Sequence, residues 1–100
     1  MKNEISEIQF IPIKPQNGLV AFVSFVLNQS LYLSSIGIVT RPEGGYRLLF
    51  PTKKSIDKSF PIFHPISKEF GVYLEEVIFK EYEKVMKNND RHSSINNSSN

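Results

Sequence analysis

One hundred residues, of which 40% are hydrophobic and 22% charged, have the length and composition of one globular domain. The chain has no cysteine, which excludes disulfides and thiolate metal sites. The net charge of +2 is small, and the longest apolar run, residues 19–27, is too short to span a bilayer. The N-terminus lacks the apolar stretch of a signal peptide, so a cytoplasmic location without membrane contact is expected.

The first half of the chain predicts four strands joined by short, turn-rich connections. They are placed at residues 5–13, 19–27, 31–40 and 46–50. Parallel crossovers need a dozen residues or more, so these connections predict an antiparallel meander. Pro12 cannot donate to a strand ladder, which puts the first strand at an edge or next to a bulge.

The remaining chain predicts a loop, one more short strand and a helix. Residues 52–59 are polar and basic and are assigned to the loop, and residues 60–64 to a short fifth strand. Apolar residues then recur at helical spacing over about residues 68–87, at Phe70, Leu74, Val77, Ile78, Tyr82 and Val85. Ser67 is the expected N-cap of this helix. The pattern predicts a single α+β domain over residues 1–87.

Residues 88–100 are mostly Asn and Ser. They lack the apolar surface that would offset the entropy lost on ordering. A disordered tail is therefore predicted there.

The strand at 19–27 is apolar on both faces, although a single helix can cover only one face of a sheet. A second copy of the chain is the simplest cover for the other face, so a homodimer is expected. The alternative is that strand twist and neighbouring loops hide this face. The expected interface comprises two strand residues and three helix residues spaced seven apart: Val23, Phe25, Val72, Phe79 and Met86.

Side chains suited to catalysis are few. His64 stands between Phe63 and Pro65 and is expected to bond backbone at the corner between strand and helix. No His/Asp/Glu cluster has metal-ligand spacing, so no metal, cofactor, small-molecule substrate or enzymatic activity is expected. Glu81 falls within the apolar stripe of the helix. It either lies at the edge of the stripe and pairs with a lysine, or is buried beside a polar partner.

The positive charge is concentrated in one central segment. Residues 41–58 carry five cations against two carboxylates, a net +3, and the cations are Arg41, Arg47, Lys53, Lys54 and Lys58. Gathered on one surface, such side chains bind phosphates, and Tyr46, Phe60 and Phe63 could stack on bases if exposed. The alternative is a solvated loop whose lysines serve only solubility.

From residue 5 to residue 85 the sequence resembles the SpoVG family (stage V sporulation protein G, septation regulator). The most specific stretch is Phe50-Pro51-Thr52-Lys53-Lys54, then Asp57-Lys58-Ser59-Phe60, then Phe63-His64-Pro65-Ile66-Ser67. It is similar to the family block MPSKR…DGEFRDIAHPIN. The helix segment Glu81-Tyr82-Glu83-Lys84-Val85 is similar to the family's NEYHRL.

This resemblance implies a curled antiparallel sheet of four to five strands followed by one C-terminal helix. It also implies a dimeric bacterial regulator of septation, cell division and sporulation that binds DNA and RNA through the basic loop and the helix region. Lys53 and Lys54 stand at the family's Lys-Arg pair. Gly37, Gly71 and Tyr73 stand where members often carry basic residues, which leaves fewer phosphate contacts.

The sequence therefore leaves two candidate functions from different classes. The first is a regulator that binds DNA or RNA through Lys53, Lys54 and Lys58, helped by Arg41 and Arg47. The alternative is a non-catalytic adaptor that recruits a protein partner through the sheet edge and the apolar second face.

Overall fold

The computed structural model describes the backbone of residues 2–99 and the side chains of residues 2–87. Four strands form an antiparallel sheet in chain order: β1 (Ile5–Gln16), β2 (Leu19–Leu27), β3 (Leu31–Thr40) and β4 (Tyr46–Leu49). Two shorter strands, β5 (Thr52–Lys54) and β6 (Ser59–Pro61), pair separately, and the helix α1 (Lys68–Ser99) follows. The α+β fold class and the antiparallel meander are confirmed.

Tight turns explain the chain-order arrangement of the large sheet. Asn28 and Gln29, between β2 and β3, have φ values of 51° and 56°. Two successive residues with positive φ give the turn whose twist matches that of the flanking strands. Between β1 and β2 the turn consists of Asn17 and Gly18, also with positive φ, so β1 extends three residues beyond its predicted end at residue 13.

Irregular pairing curls the sheet. The register between β1 and β2 shifts between Ser6 and Gln9, and that between β2 and β3 shifts between Val23 and Phe25. Glu7, on β1 between Ser6 and Gln9, and Ser35, on β3 opposite the second shift, have positive φ values of 50° and 65°. Bulges of this kind increase the local right-handed twist and bend the strand.

The core lies between one face of this sheet and α1. Its buried apolar members are Ala21, Val23, Phe25, Ile36, Ile38, Leu74, Ile78 and Tyr82. The last three belong to the predicted apolar stripe of the helix, which is confirmed. The other members lie on β2 and β3, where the strand register places them side by side: Val23 pairs with Ile36, and Ala21 pairs with Ile38.

The assignment of Val23 and Phe25 to a dimer interface is wrong. Their exposed fractions are 1% and 0%, and both pack in the core shared with α1 of the same chain. Alternation along a strand indicates which residues share a face, but it does not indicate which face the helix covers. The face of β2 that α1 leaves uncovered carries Phe22 and Val26 instead.

The helix begins where the sequence predicts. The Phe70 backbone N–H donates a hydrogen bond of 3.0 Å to Ser67 Oγ, which confirms Ser67 as the N-cap. The helix extends to Ser99, beyond its predicted end near residue 87. The tail predicted as disordered, residues 88–100, falls outside the described side chains and stays a prediction.

Three aromatic rings connect α1 to the sheet. The Tyr82 ring lies 5.3 Å from that of Phe10 and 5.4 Å from that of Tyr46, between ring centroids. Burial raises the pKa of the Tyr82 hydroxyl above its usual value, and the nearby Tyr46 adds to the increase.

The three helix residues expected at the dimer interface have different environments. The Phe79 ring packs on the Tyr46 ring at 5.5 Å between centroids, whereas Val72 and Met86 are exposed.

Candidate nucleic-acid interface

The basic segment after β4 forms a hairpin rather than the predicted loop. Lys53 of β5 pairs with Phe60 of β6, and Lys54 pairs with Ser59. Every residue of both strands is exposed. Because neighbouring residues of a strand point to opposite faces, Lys53 and Phe60 share one face of the hairpin and Lys54 projects from the other.

A short turn closes this hairpin and carries the third lysine. The Ser55 backbone N–H donates a hydrogen bond of 2.7 Å to the Lys58 carbonyl oxygen, which makes residues 55–58 the turn. Ile56 at the tip is fully exposed. Lys53, Lys54 and Lys58 therefore occupy one small, solvent-exposed arm, which we call the basic hairpin (residues 52–61).

The base of the basic hairpin is fixed to the core. The rings of Phe50 and Phe63, on either side of it, lie 6.1 Å apart at nearly right angles, and both pack against the buried cluster. The Ile62 N–H also donates a hydrogen bond of 2.7 Å to the Pro51 carbonyl oxygen. The arm thus projects from a base that is anchored to the core.

The two arginines lie apart from this arm. Arg41 is in the turn between β3 and β4, at the end of β4 away from the basic hairpin, and lines a shallow groove with Glu75 and Glu76 of the helix. Those carboxylates disfavour a phosphate at Arg41. Arg47 pairs with Val39 and points away from α1, because its neighbour Tyr46 packs on the helix.

The lysines of the basic hairpin are not held by carboxylates of the described chain. Within residues 2–87 the structure has one ion pair, between Lys84 Nζ and Glu81 Oε1 at 3.6 Å. This pair also decides between the two interpretations of Glu81, which lies at the edge of the helix stripe and contacts a lysine. Lys53, Lys54 and Lys58 remain available to an external anion.

Of the three aromatic residues considered for base stacking, only Phe60 is placed for it. Tyr46 and Phe63 pack against the core, whereas 51% of Phe60 is exposed. The pairing of Phe60 with Lys53 could not be inferred from composition. The available signal was a four-residue polar turn between Lys-Lys and Ser-Phe-Pro, which is short enough for a hairpin.

His64 has the structural environment that the sequence predicts. Its Nδ1–H donates a hydrogen bond of 3.0 Å to the Pro65 carbonyl oxygen.

Among the residues searched, no group of three or more His, Cys, Asp or Glu side chains is placed to hold a metal ion. In the described part of the chain, no helix has the length and apolar character needed to cross a membrane.

Comparison with known sequences decides the family. The family model described as SpoVG matches residues 3–84, which include both sheets and the first half of α1. The chain belongs to the SpoVG family. The resemblance recognised from residues 50–67 is thereby confirmed.

Several SpoVG relatives named for septation are similar to the chain over most of its length. One from Bdellovibrio bacteriovorus is 28% identical over 85 residues, covering 84% of this chain and 77% of the relative. One from Borrelia hermsii is 29% identical over 70% of this chain and 73% of its own length. A SpoVG 2 protein from Listeria monocytogenes is 23% identical over 82% of this chain and 80% of its own length.

The family resemblance implies that members often carry basic residues at the positions of Gly37, Gly71 and Tyr73. At two of these positions, Tyr73 and Gly37, the structure shows a specific contact or close packing. The Tyr73 hydroxyl accepts a hydrogen bond of 3.2 Å from the Ile5 N–H and so ties α1 to β1. At Gly37 a Cβ would lie 2.7 Å from Leu19 Cδ1, so a larger residue would displace that side chain. At Gly71 a Cβ would make only ordinary contacts with Pro65.

The sheet face opposite α1 is apolar around Gly37. Ile11, Phe22, Gly37 and Leu49 are in register across all four strands. Ile11 is 62% exposed, and Leu49 is also exposed. We call this surface the outer face; it further includes Leu19, Val26 and Tyr32. It is the second apolar face that the sequence predicts, carried by different residues from those expected.

Proposed function

We propose that this SpoVG-family chain is a regulatory protein that binds DNA or RNA electrostatically through its basic hairpin. The observation that carries the proposal is the exposure of Lys53, Lys54 and Lys58 on one arm, without a carboxylate partner among residues 2–87. The names of its relatives support septation as the controlled process. The family name adds a link to sporulation.

The shape of the arm suits phosphate binding. Lys53 and Lys54 project from opposite faces, so a narrow two-stranded arm presents cations on both sides. Lysine binds phosphate as a point charge, without the planar geometry that arginine imposes, which favours contact with backbone over reading of bases. Arg47 lies on the outer face, apart from the arm, so the three lysines carry the proposed contact. Arg41, beside two glutamates, is the weakest contributor.

Binding of a labelled random-sequence oligonucleotide at increasing salt concentrations tests the proposed function. Association releases condensed counterions, so affinity should be measurable at low salt and fall steeply as salt rises. Absence of binding at low salt, with both single-stranded and duplex probes, would refute the function.

The same proposal includes a homodimer formed through the outer face. Ile11, Tyr32 and Leu49 are exposed on this face, and an isologous contact would cover them in both copies. A dimer would also provide two basic hairpins to one nucleic acid, which raises the effective affinity of each.

Light scattering at micromolar protein concentration should give the dimer mass for the wild-type chain. Phe22→Asp places a charge at the centre of the outer face and should give the monomer mass with the fold retained. Ile66→Asp, which adds the same charge at an apolar position that is 95% exposed and outside this face, is the matched control. A wild-type monomer, or a Phe22→Asp dimer, would contradict the assignment.

A protein-interaction adaptor is the second candidate. It is favoured by the large apolar side chains exposed near the basic hairpin, at Ile56, Phe60, Ile62 and Ile66. Contacts made by such residues persist at high salt, whereas phosphate contacts weaken. A partner retained at high salt, together with absent nucleic-acid binding, would favour the adaptor.

A further inference from the structure

We infer that the basic hairpin takes single-stranded nucleic acid in preference to duplex, with the Phe60 ring stacked on an unpaired base beside a phosphate held by Lys53. This inference rests on the proposed function and specifies the class of ligand that the site accepts.

The first observation is the state of the Phe60 ring. It is half exposed on an arm that has no buried residue, and no other aromatic ring pairs with it among the described side chains. It is also absent from the residues packed against the core. Its ring face therefore remains available to a ligand.

The second observation is the neighbour across the hairpin. Phe60 and Lys53 are directly paired, which places their Cβ atoms about 5 Å apart on the same face. Sites for single strands combine a cation for the backbone with an aromatic ring for a base. Here both groups come from one cross-strand pair.

The accessibility of the bases determines whether single-stranded or duplex nucleic acid is preferred. In a duplex each base is already stacked on its neighbours, so the Phe60 ring could stack only after a base is extruded at a cost. A single strand presents its bases without this cost. The lysines contact phosphates in both forms, but the two forms differ in charge density, so the ring is reported by the loss of single-strand binding when the ring is removed.

The alternative for Phe60 is a purely structural one, in which its ring packs on the aliphatic part of Lys53 and steadies the hairpin. Phe60→Leu separates the two, because leucine keeps an apolar contact with Lys53 and lacks the flat ring. Phe60→Tyr keeps the ring and should restore single-strand binding.

The test measures affinity for an oligothymidine and for a duplex of equal length. Phe60→Leu should weaken single-strand binding by roughly fivefold or more and leave duplex binding within about twofold of wild type. Equal losses for both probes, no loss for either, or tighter wild-type binding to the duplex than to the single strand would overturn the inference.

Fluorescence gives a second measurement. The chain has no tryptophan, so Phe60→Trp introduces a single indole. Stacking on a base should quench its emission on addition of the single strand. Ile66→Trp, at a position that is 95% exposed and outside the basic hairpin, is the control and should not be quenched. Equal quenching at both positions would count against stacking at Phe60.

The two proposals fail in distinguishable ways. If wild-type protein binds neither probe, the proposed function fails. If it binds both and Phe60→Leu binds the single strand as tightly as wild type, only the role of Phe60 fails.

Discussion

Replacing Phe25 by alanine should lower the free energy of unfolding by about 3–5 kcal/mol, since a fully buried ring is lost and a cavity remains. A domain of this size has a total stability of about 5–15 kcal/mol, so the variant should be close to unfolding. Urea denaturation followed by circular dichroism measures the loss. The change should be similar at low and high protein concentration, because Phe25 packs within one chain.

Phe22→Ala is the matched control, since Phe22 is on the same strand and faces away from α1. Its loss should be smaller and should grow with protein concentration if the outer face associates. If Phe25→Ala changed the state of association without changing stability, the assignment of Phe25 to the core would be wrong.

Replacing Lys53 and Lys54 together by glutamate should weaken nucleic-acid binding about tenfold or more at low salt, because two phosphate contacts become repulsive. Both side chains are exposed, so the free energy of unfolding should change by no more than about 0.5 kcal/mol. A gel shift with the same oligonucleotide measures the affinity, and circular dichroism confirms the fold.

A variant of equal net charge distinguishes the basic hairpin from general electrostatics. Lys14→Glu combined with Lys80→Glu changes the charge by the same amount at exposed positions on β1 and α1. This control should retain most of the affinity. An equal loss would mean that overall charge, and not the position of the lysines, determines binding.

Much of the fold follows from local signals in the sequence. The start of the helix is identified by Ser67, and its buried stripe by the spacing of Leu74, Ile78 and Tyr82. Both signals depend only on residues three or four positions apart in the sequence. Short turns such as Asn28-Gln29 imply antiparallel neighbours and hence the strand order.

Features that depend on distant packing could not be predicted. The assignment of β2 side chains to a covered or an uncovered face depends on where α1 docks, so the sequence predicts an uncovered position for Val23 and Phe25, which in the structure face α1. The strands of the basic hairpin have no buried face, so they lack the alternation that would reveal them.

In the candidate site, too, some features follow from the local sequence and others depend on distant packing. Lys53, Lys54 and Lys58 could be grouped from the sequence because they are close in it, and a local hairpin keeps them together. Arg41 is also close in sequence, but β4 separates it from the hairpin and the helix glutamates lie beside it. Charge counted along the chain therefore overestimates how many cations share one surface.

The salt dependence of binding tests most directly whether the lysines of the basic hairpin contact phosphates. For a duplex probe, the logarithm of the wild-type affinity should fall linearly with the logarithm of salt concentration, by about 0.9 per phosphate contacted. The Lys53→Glu/Lys54→Glu variant should give a slope shallower by about 2, one for each lysine removed. Parallel lines for the two proteins would contradict the assignment, because the phosphate contacts would then lie elsewhere.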